Sequence, residues 1–125
     1  MQKIAITPAN APAPLGPYNR AIRYGDLLFV SGQVAVDEEG NVTGDVAEQT
    51  RRILSNLGNI LAEAGTDWSM VLKANVYLVD MNDFEVMNAV YAEFVGQVPP
   101  ARTTVQVAGL PKGALVEIEA IAAYG

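Results

Sequence analysis

Two stretches of helical periodicity, set among segments that read as strand, limit what this chain can fold into. Between Asp45 and Gly65 the apolar residues Ile53, Leu54, Leu57, Ile60, Leu61 and Ala64 recur at the spacing of one buried helix stripe. Asp45 with Glu48 three residues on makes a capping box, and Gly65 stands where a helix-ending left-handed residue belongs. A second stripe, Phe84, Met87, Tyr91, Phe94 and Val95, follows Asn82, which is placed to cap it with Glu85 in reach. Pro99-Pro100 forbids its continuation.

The remaining pattern is extended. Val71 to Val79 alternates, with Leu72, Ala74, Val76 and Leu78 on one face and Lys73, Asn75 and Tyr77 on the other. Arg20 to Tyr24 and Leu27 to Val30 flank Gly25-Asp26, a two-residue hairpin signal. Ser31-Gly32 ends the second of these strands, and a glycine there marks backbone approached closely by another group. Residues 37–44 (DEEGNVTG) are turn chemistry. Arg102 to Val107, a Gly/Pro turn over Ala108 to Gly113, and Leu115 to Ala123 read as a second hairpin. The order is hairpin, helix, strand, helix, hairpin. It predicts an α+β fold, a mixed sheet of five to six strands with two helices packed on one face, as a single domain over residues 1–125.

That fold leaves a mismatch. Two helices about 10 Å wide cannot cover both faces of such a sheet, whose strands lie ~4.8 Å apart. Yet LLFV (27–30) and TTVQVAGL (103–110) carry apolar residues on both faces. The uncovered face is expected to meet another subunit, with the order of the oligomer left open.

Composition removes whole classes of chemistry. The chain of 125 residues contains neither Cys nor His, which excludes thiol nucleophiles, Ser-His-Asp triads, histidine general bases and the usual zinc sites. Its net charge is −6 and no basic run occurs, so no nucleic-acid partner is expected. Apolar runs fall far short of the ~20 residues of a membrane span, and no membrane partner is expected. IAI after Lys3 is too short for a signal segment, so the expected location is cytoplasmic and the sequon Asn41-Val42-Thr43 is read as chance. Pro8 to Pro17 (PANAPAPLGP) reads as an extended ordered loop near a surface or interface, with a loose N-terminal tail as the equal alternative on composition.

Several residues stand out, each with a structural reading beside the functional one. Arg102 begins an otherwise uncharged strand directly after the double proline, and its planar fork suits a carboxylate; a salt bridge or a solvated strand end is the alternative. Glu117 and Glu119 share one face of the last strand, roughly 7 Å apart. Such a pair can orient water or move protons, or simply wet a sheet face. Asn88 interrupts the apolar stripe of the second helix, where an amide needs partners and pinning backbone is the commoner duty. Tyr18 after Gly16-Pro17 reads as a packed anchor, and Thr104 lies one strand repeat from Arg102 on the same face.

Taken together, segments 15–19 (LGPYN), 29–33 (FVSGQ), 80–91 (DMNDFEVMNAVY), 100–103 (PART) and 116–122 (VEIEAIA) resemble the RidA (YjgF-type) reactive-intermediate deaminase family, in order and over essentially the whole chain. The pairing of PART with EIEAIA is the most specific part. The resemblance implies a chorismate-mutase-like fold and a homotrimer with ligand clefts at the subunit interfaces. It also implies cofactor-free, metal-free hydrolysis of 2-imino acids, such as 2-iminobutanoate and 2-iminopropanoate, to 2-keto acids and ammonia. By the same resemblance Arg102 grips the substrate carboxylate and Glu117 positions the hydrolytic water. Tyr18, Ser31, Gly32 and Asn88 line or support the cleft. Thr104 stands where the family often has Cys, at a position that offers mainly a main-chain carbonyl to the imine nitrogen. The rival expectation is a non-catalytic trimer that binds small carboxylates; Arg102 serves both, and Glu117 discriminates. A ribonuclease role, reported for some relatives, fits poorly with the acidic charge and absent histidines.

Overall fold

In the computed structural model, which describes residues 1–8 and 13–125, the chain runs β1 (Ile4–Ile6), β2 (Ala21–Tyr24), β3 (Leu27–Gln33), α1 (Val46–Ala64), β4 (Val71–Leu78), α2 (Phe84–Ala92), β5 (Ala101–Gln106) and β6 (Val116–Ala123). The capping box of α1 forms: Glu48 N donates to Asp45 Oδ1 at 2.9 Å, and Asp45 N donates to Glu48 Oε1 at 3.3 Å. Gly65 ends the helix at φ 92°, a left-handed conformation that glycine adopts without penalty. Ile53, Leu54, Leu57, Ile60 and Leu61 are buried against the inner sheet face, where Leu28, Val76, Leu78, Val116, Ile118 and Ala122 meet them. Gln49, itself buried, clips the helix to the sheet by donating to Gly44 O and accepting from Leu115 N, each at 2.9 Å.

The sheet has six strands in the order β1-β2-β3-β6-β4-β5, mixed because β5 runs parallel to β4. The expected second hairpin is therefore corrected. β5 and β6 are not neighbours; β4 lies between them. Parallel strands need a crossover, and α2 supplies it between β4 and β5. Residues 107–115 then carry the chain back across β4, too long a connection for a tight hairpin.

Three smaller expectations are also revised. Asn82 does not cap α2. It lies in a 3₁₀ turn, Met81–Asp83, that Asp80 caps by accepting from Asn82 N at 2.9 Å, and α2 follows from Asp83. Phe94 and Val95 lie beyond the helix end at Ala92 yet still pack on the core. Leu72 does not share a face with Ala74. A bulge between Val71 and Lys73 turns Val71 into the core at 5% exposure and leaves Leu72 50% exposed. β1, too short to show a period, pairs antiparallel with β2.

Both helices lie over one sheet face. On the other, Leu27, Phe29, Leu72 and Val105 stay exposed. Of the Pro8 to Pro17 loop, residues 9–12 lie outside the described residues, and residues 13–17 are exposed. No helix among the described residues is long and apolar enough to cross a membrane.

Candidate active site

β6 sorts its side chains by period two: Val116, Ile118, Ala120 and Ala122 are buried, while Glu117 and Glu119 stand on the opposite, outer face. Beside them β3 is irregular. Val30 pairs with Ala120 and Gln33 with Ile118, so Ser31 and Gly32 together face Glu119. The Glu117 carboxylate fills the space above this bulge: a Cβ on Gly32 would lie 2.5 Å from Glu117 Oε2 and 2.8 Å from Cδ. The close approach expected at Gly32 is thus to a carboxylate.

The bulge also anchors the chain leading into β2. Ser31 Oγ donates to Asn19 O at 2.6 Å, and Ser31 N donates to Arg20 O at 2.9 Å. Tyr18, 42% exposed, accepts from Leu15 N on its hydroxyl at 3.2 Å. Tyr18, Arg20, Gly32, Gln33, Pro111 and Glu117 border one cleft. Arg20 donates from Nη1 to Gln33 Oε1 at 3.1 Å, and Gln33 Nε2 donates to Ser31 O at 2.8 Å. Burial, and then the Glu119 charge, push the Glu117 carboxyl above its ordinary value. Glu119 accepts from Asn75 Nδ2 at 3.3 Å and from the Tyr77 hydroxyl, and that bond is the main reason Tyr77 is pushed up to about 12.

Arg102 belongs to the other face. It pairs in register with Ala74, so it points towards α2, with Thr104 two residues on beside Val76. Its Cζ lies 4.7 Å from the Tyr91 ring centroid and 5.6 Å from that of Phe84, and its Nη1 is 3.8 Å from Met87 Sδ. Among the described residues it makes no salt bridge. Around it, Asn88 Oδ1, Tyr91 OH and Thr104 Oγ1 are buried and lack hydrogen-bond partners. Burial raises the Tyr91 hydroxyl, against the opposing pull of the Arg102 charge.

The structure therefore brings the sequence candidates together as two groups. Tyr18, Ser31, Gly32 and Glu117 gather around the bulge, and Arg102, Thr104 and Asn88 gather against α2. Glu117 pairs with Tyr77 and Arg102 with Ala74, three residues apart on β4, so the groups lie on opposite faces of the sheet. Sequence reasoning missed Tyr91, Phe84 and Met87, which it assigned to the core stripe. For Phe84 and Tyr91 the available signal was their spacing from Asn88, since whatever reaches Asn88 on a helix also meets its neighbours three and four residues away; Met87, one residue away, carried no such signal. It missed the Tyr77 and Asn75 clamp on Glu119 as well, because that contact depends on register.

The sequence model of the Endoribonuclease L-PSP family matches residues 8–124. A RutC family protein of Pyrococcus horikoshii is 50% identical over 124 residues, 98% of each chain. A 2-iminobutanoate/2-iminopropanoate deaminase of Bos taurus is 46% identical over 122 residues, 96% of this chain and 89% of its own. The crystal structure of a conserved Rid-family protein from Yersinia pestis superposes with a TM-score of 0.94 at 39% identity, covering 98% of this chain and 100% of the other. Matched by the family model over residues 8–124, and by relatives in both sequence and fold, the chain belongs to the RidA/YjgF (Endoribonuclease L-PSP) family.

Proposed function

We propose that the protein hydrolyses 2-imino acids, 2-iminobutanoate and 2-iminopropanoate among them, to 2-keto acids and ammonia, in clefts formed between copies of a homotrimer. The observation that carries this reading is Arg102, a guanidinium backed by aromatic rings and free of any carboxylate among the described residues. Such a fork is suited to a small carboxylate ligand. The bovine relative's name points to the same substrate class.

A protonated imine is already electrophilic, so the site needs positioning more than a strong nucleophile. Arg102 holds the carboxylate and sets C2 of the substrate. Glu117 accepts a proton from water as the water oxygen bonds to C2 and the C=N pair moves to nitrogen. Return of that proton to the nitrogen lets the C–N bond break; the hydroxyl O–H pair forms the carbonyl as Glu117 takes the hydroxyl proton, and ammonia leaves. One chain holds Arg102 and Glu117 on opposite sheet faces, so a cleft using both takes Arg102 from one copy and Glu117 from the next.

The family's nuclease name finds no support in the chemistry of this chain. A net charge of −6 repels a phosphate backbone, and the chain has no histidine to serve as acid or base. The test is 2-keto acid release from 2-iminobutanoate freshly generated by a threonine dehydratase. Faster release in the presence of the protein is expected. An unchanged rate, with 2-oxobutanoate still binding, would establish a carboxylate-binding protein instead.

A further inference from the structure

On the outer sheet face, Glu119 is clamped from β4 while Glu117 is not. Asn75, directly opposite Glu119, donates to its Oε2 at 3.3 Å. Tyr77 is the register partner of Glu117, yet its hydroxyl reaches diagonally to the same Glu119 oxygen. Glu117 accepts no hydrogen bond from the described residues. Two carboxylates on one strand face are thus treated differently: one is fixed and the other is left available.

We propose that Glu119, clamped by Tyr77 and Asn75, is a positioning residue for the acid–base step, a fixed negative charge that keeps Glu117 able to hold the proton it takes from water. This rests on the acid–base role proposed for Glu117. The groups facing Glu117 can be named from each side. β3 presents Gly32, which carries no charge, beside the Glu117 carboxylate. β4 presents Tyr77, a neutral phenol whose hydroxyl donates to Glu119. The segment before β2 presents Tyr18 and Arg20 at the shared cleft. Arg20 is the opposing cation, and it is engaged with Gln33. The like charge comes from Glu119 on the same strand, and it acts in the same direction as the burial of Glu117.

A merely structural Glu119 would staple β4 to β6 through the same two hydrogen bonds. Glu119→Gln separates the roles, because the amide oxygen still accepts from Tyr77 while the charge is gone; Glu119→Asp keeps the charge. The experiment is a ¹³C-carboxyl NMR titration of Glu117 beside the pH dependence of kcat on 2-iminobutanoate, in the wild type and both variants. In Glu119→Gln the Glu117 midpoint should fall by about 0.5–1.5 pH units, as expected for a unit charge at this separation. The acidic limb of kcat should follow it, KM should stay near wild type, and Glu119→Asp should restore both. An unmoved Glu117 midpoint in Glu119→Gln overturns the role of Glu119 alone. A moved midpoint with an unmoved kcat limb overturns the acid–base role of Glu117, and this inference with it.

Discussion

The Arg102 guanidinium, with its Cζ 4.7 Å from the Tyr91 ring centroid and 5.6 Å from that of Phe84, is braced by aromatic rings and makes no salt bridge among the described residues, so a carboxylate ligand is what its fork can still pair with. Arg102→Lys keeps the charge and loses both the stacking plane and the paired donors. Loss of such a charged bidentate contact costs about 2–4 kcal/mol, so kcat/KM should fall on the order of 10²-fold with the assembly intact. A Lys variant that keeps its specific activity would make Arg102 a structural residue. Glu117→Gln keeps shape but cannot accept a proton, and kcat should drop roughly 10²–10⁴-fold. Calorimetric affinity for 2-oxobutanoate should hold or improve, since a like charge is removed. The same variant has a stability signature. Burial and the Glu119 charge raise Glu117, so the folded chain binds its proton more tightly than the unfolded chain does. Stability contributed by that proton is present at acidic pH and lost as pH rises from the ordinary value of about 4.3 through the raised folded one. Glu117→Gln should therefore melt higher than wild type at pH 7, with the gap closing in acid. A gap independent of pH would contradict the raised carboxyl.

At the scale of elements, the bulge in β3 does the positioning. Gly32 has no side chain where the Glu117 carboxylate lies, and an added Cβ would meet the far end of that flexible side chain rather than backbone. Gly32→Ala should consequently fold and assemble nearly as the wild type does while displacing the carboxylate. Displacement by about 1 Å from the reacting water can cost on the order of 10²-fold in kcat. A melting temperature that collapses while the remaining folded protein stays fully active would show that Gly32 serves the backbone instead. Elements set by local chemistry were legible in the sequence: the α1 capping box, the Gly25-Asp26 hairpin and the alternation of β6. What escaped depended on partners distant in the chain. The bulge that exposes Leu72 is visible only once β6 supplies its register. The placement of β6 between β3 and β4, rather than beside β5, depends on the α2 crossover. For the site, Arg102 and Glu117 could be picked out by residue type and family motif, but not their separation across the sheet, because strand pairing alone decides which face each takes.

For the whole molecule, the separation of Arg102 from Glu117 makes a statement about symmetry. A cleft joining the α2 side of one copy to the outer sheet face of the next brings two different surfaces together. Such a contact is heterologous and closes into a ring when the rotation between copies permits it, and the exposed Leu27, Phe29 and Leu72 give the outer face apolar area to bury. Sedimentation should give a mass near three chains of 13.3 kDa, about 40 kDa; a stable monomer at micromolar concentration would rule out the shared cleft. Mixing the two inactive variants gives a sharper test. In Arg102→Lys chains Glu117 is intact, and in Glu117→Gln chains Arg102 is intact. If each cleft takes one residue from each of two neighbours, subunit exchange between equal amounts must create some interfaces with both native residues. Random mixing of a ring places both at about one quarter of the interfaces, so activity should recover to about that fraction of wild type. If both residues served a cleft within one chain, every cleft in the mixture would still carry one lesion, and no activity would return.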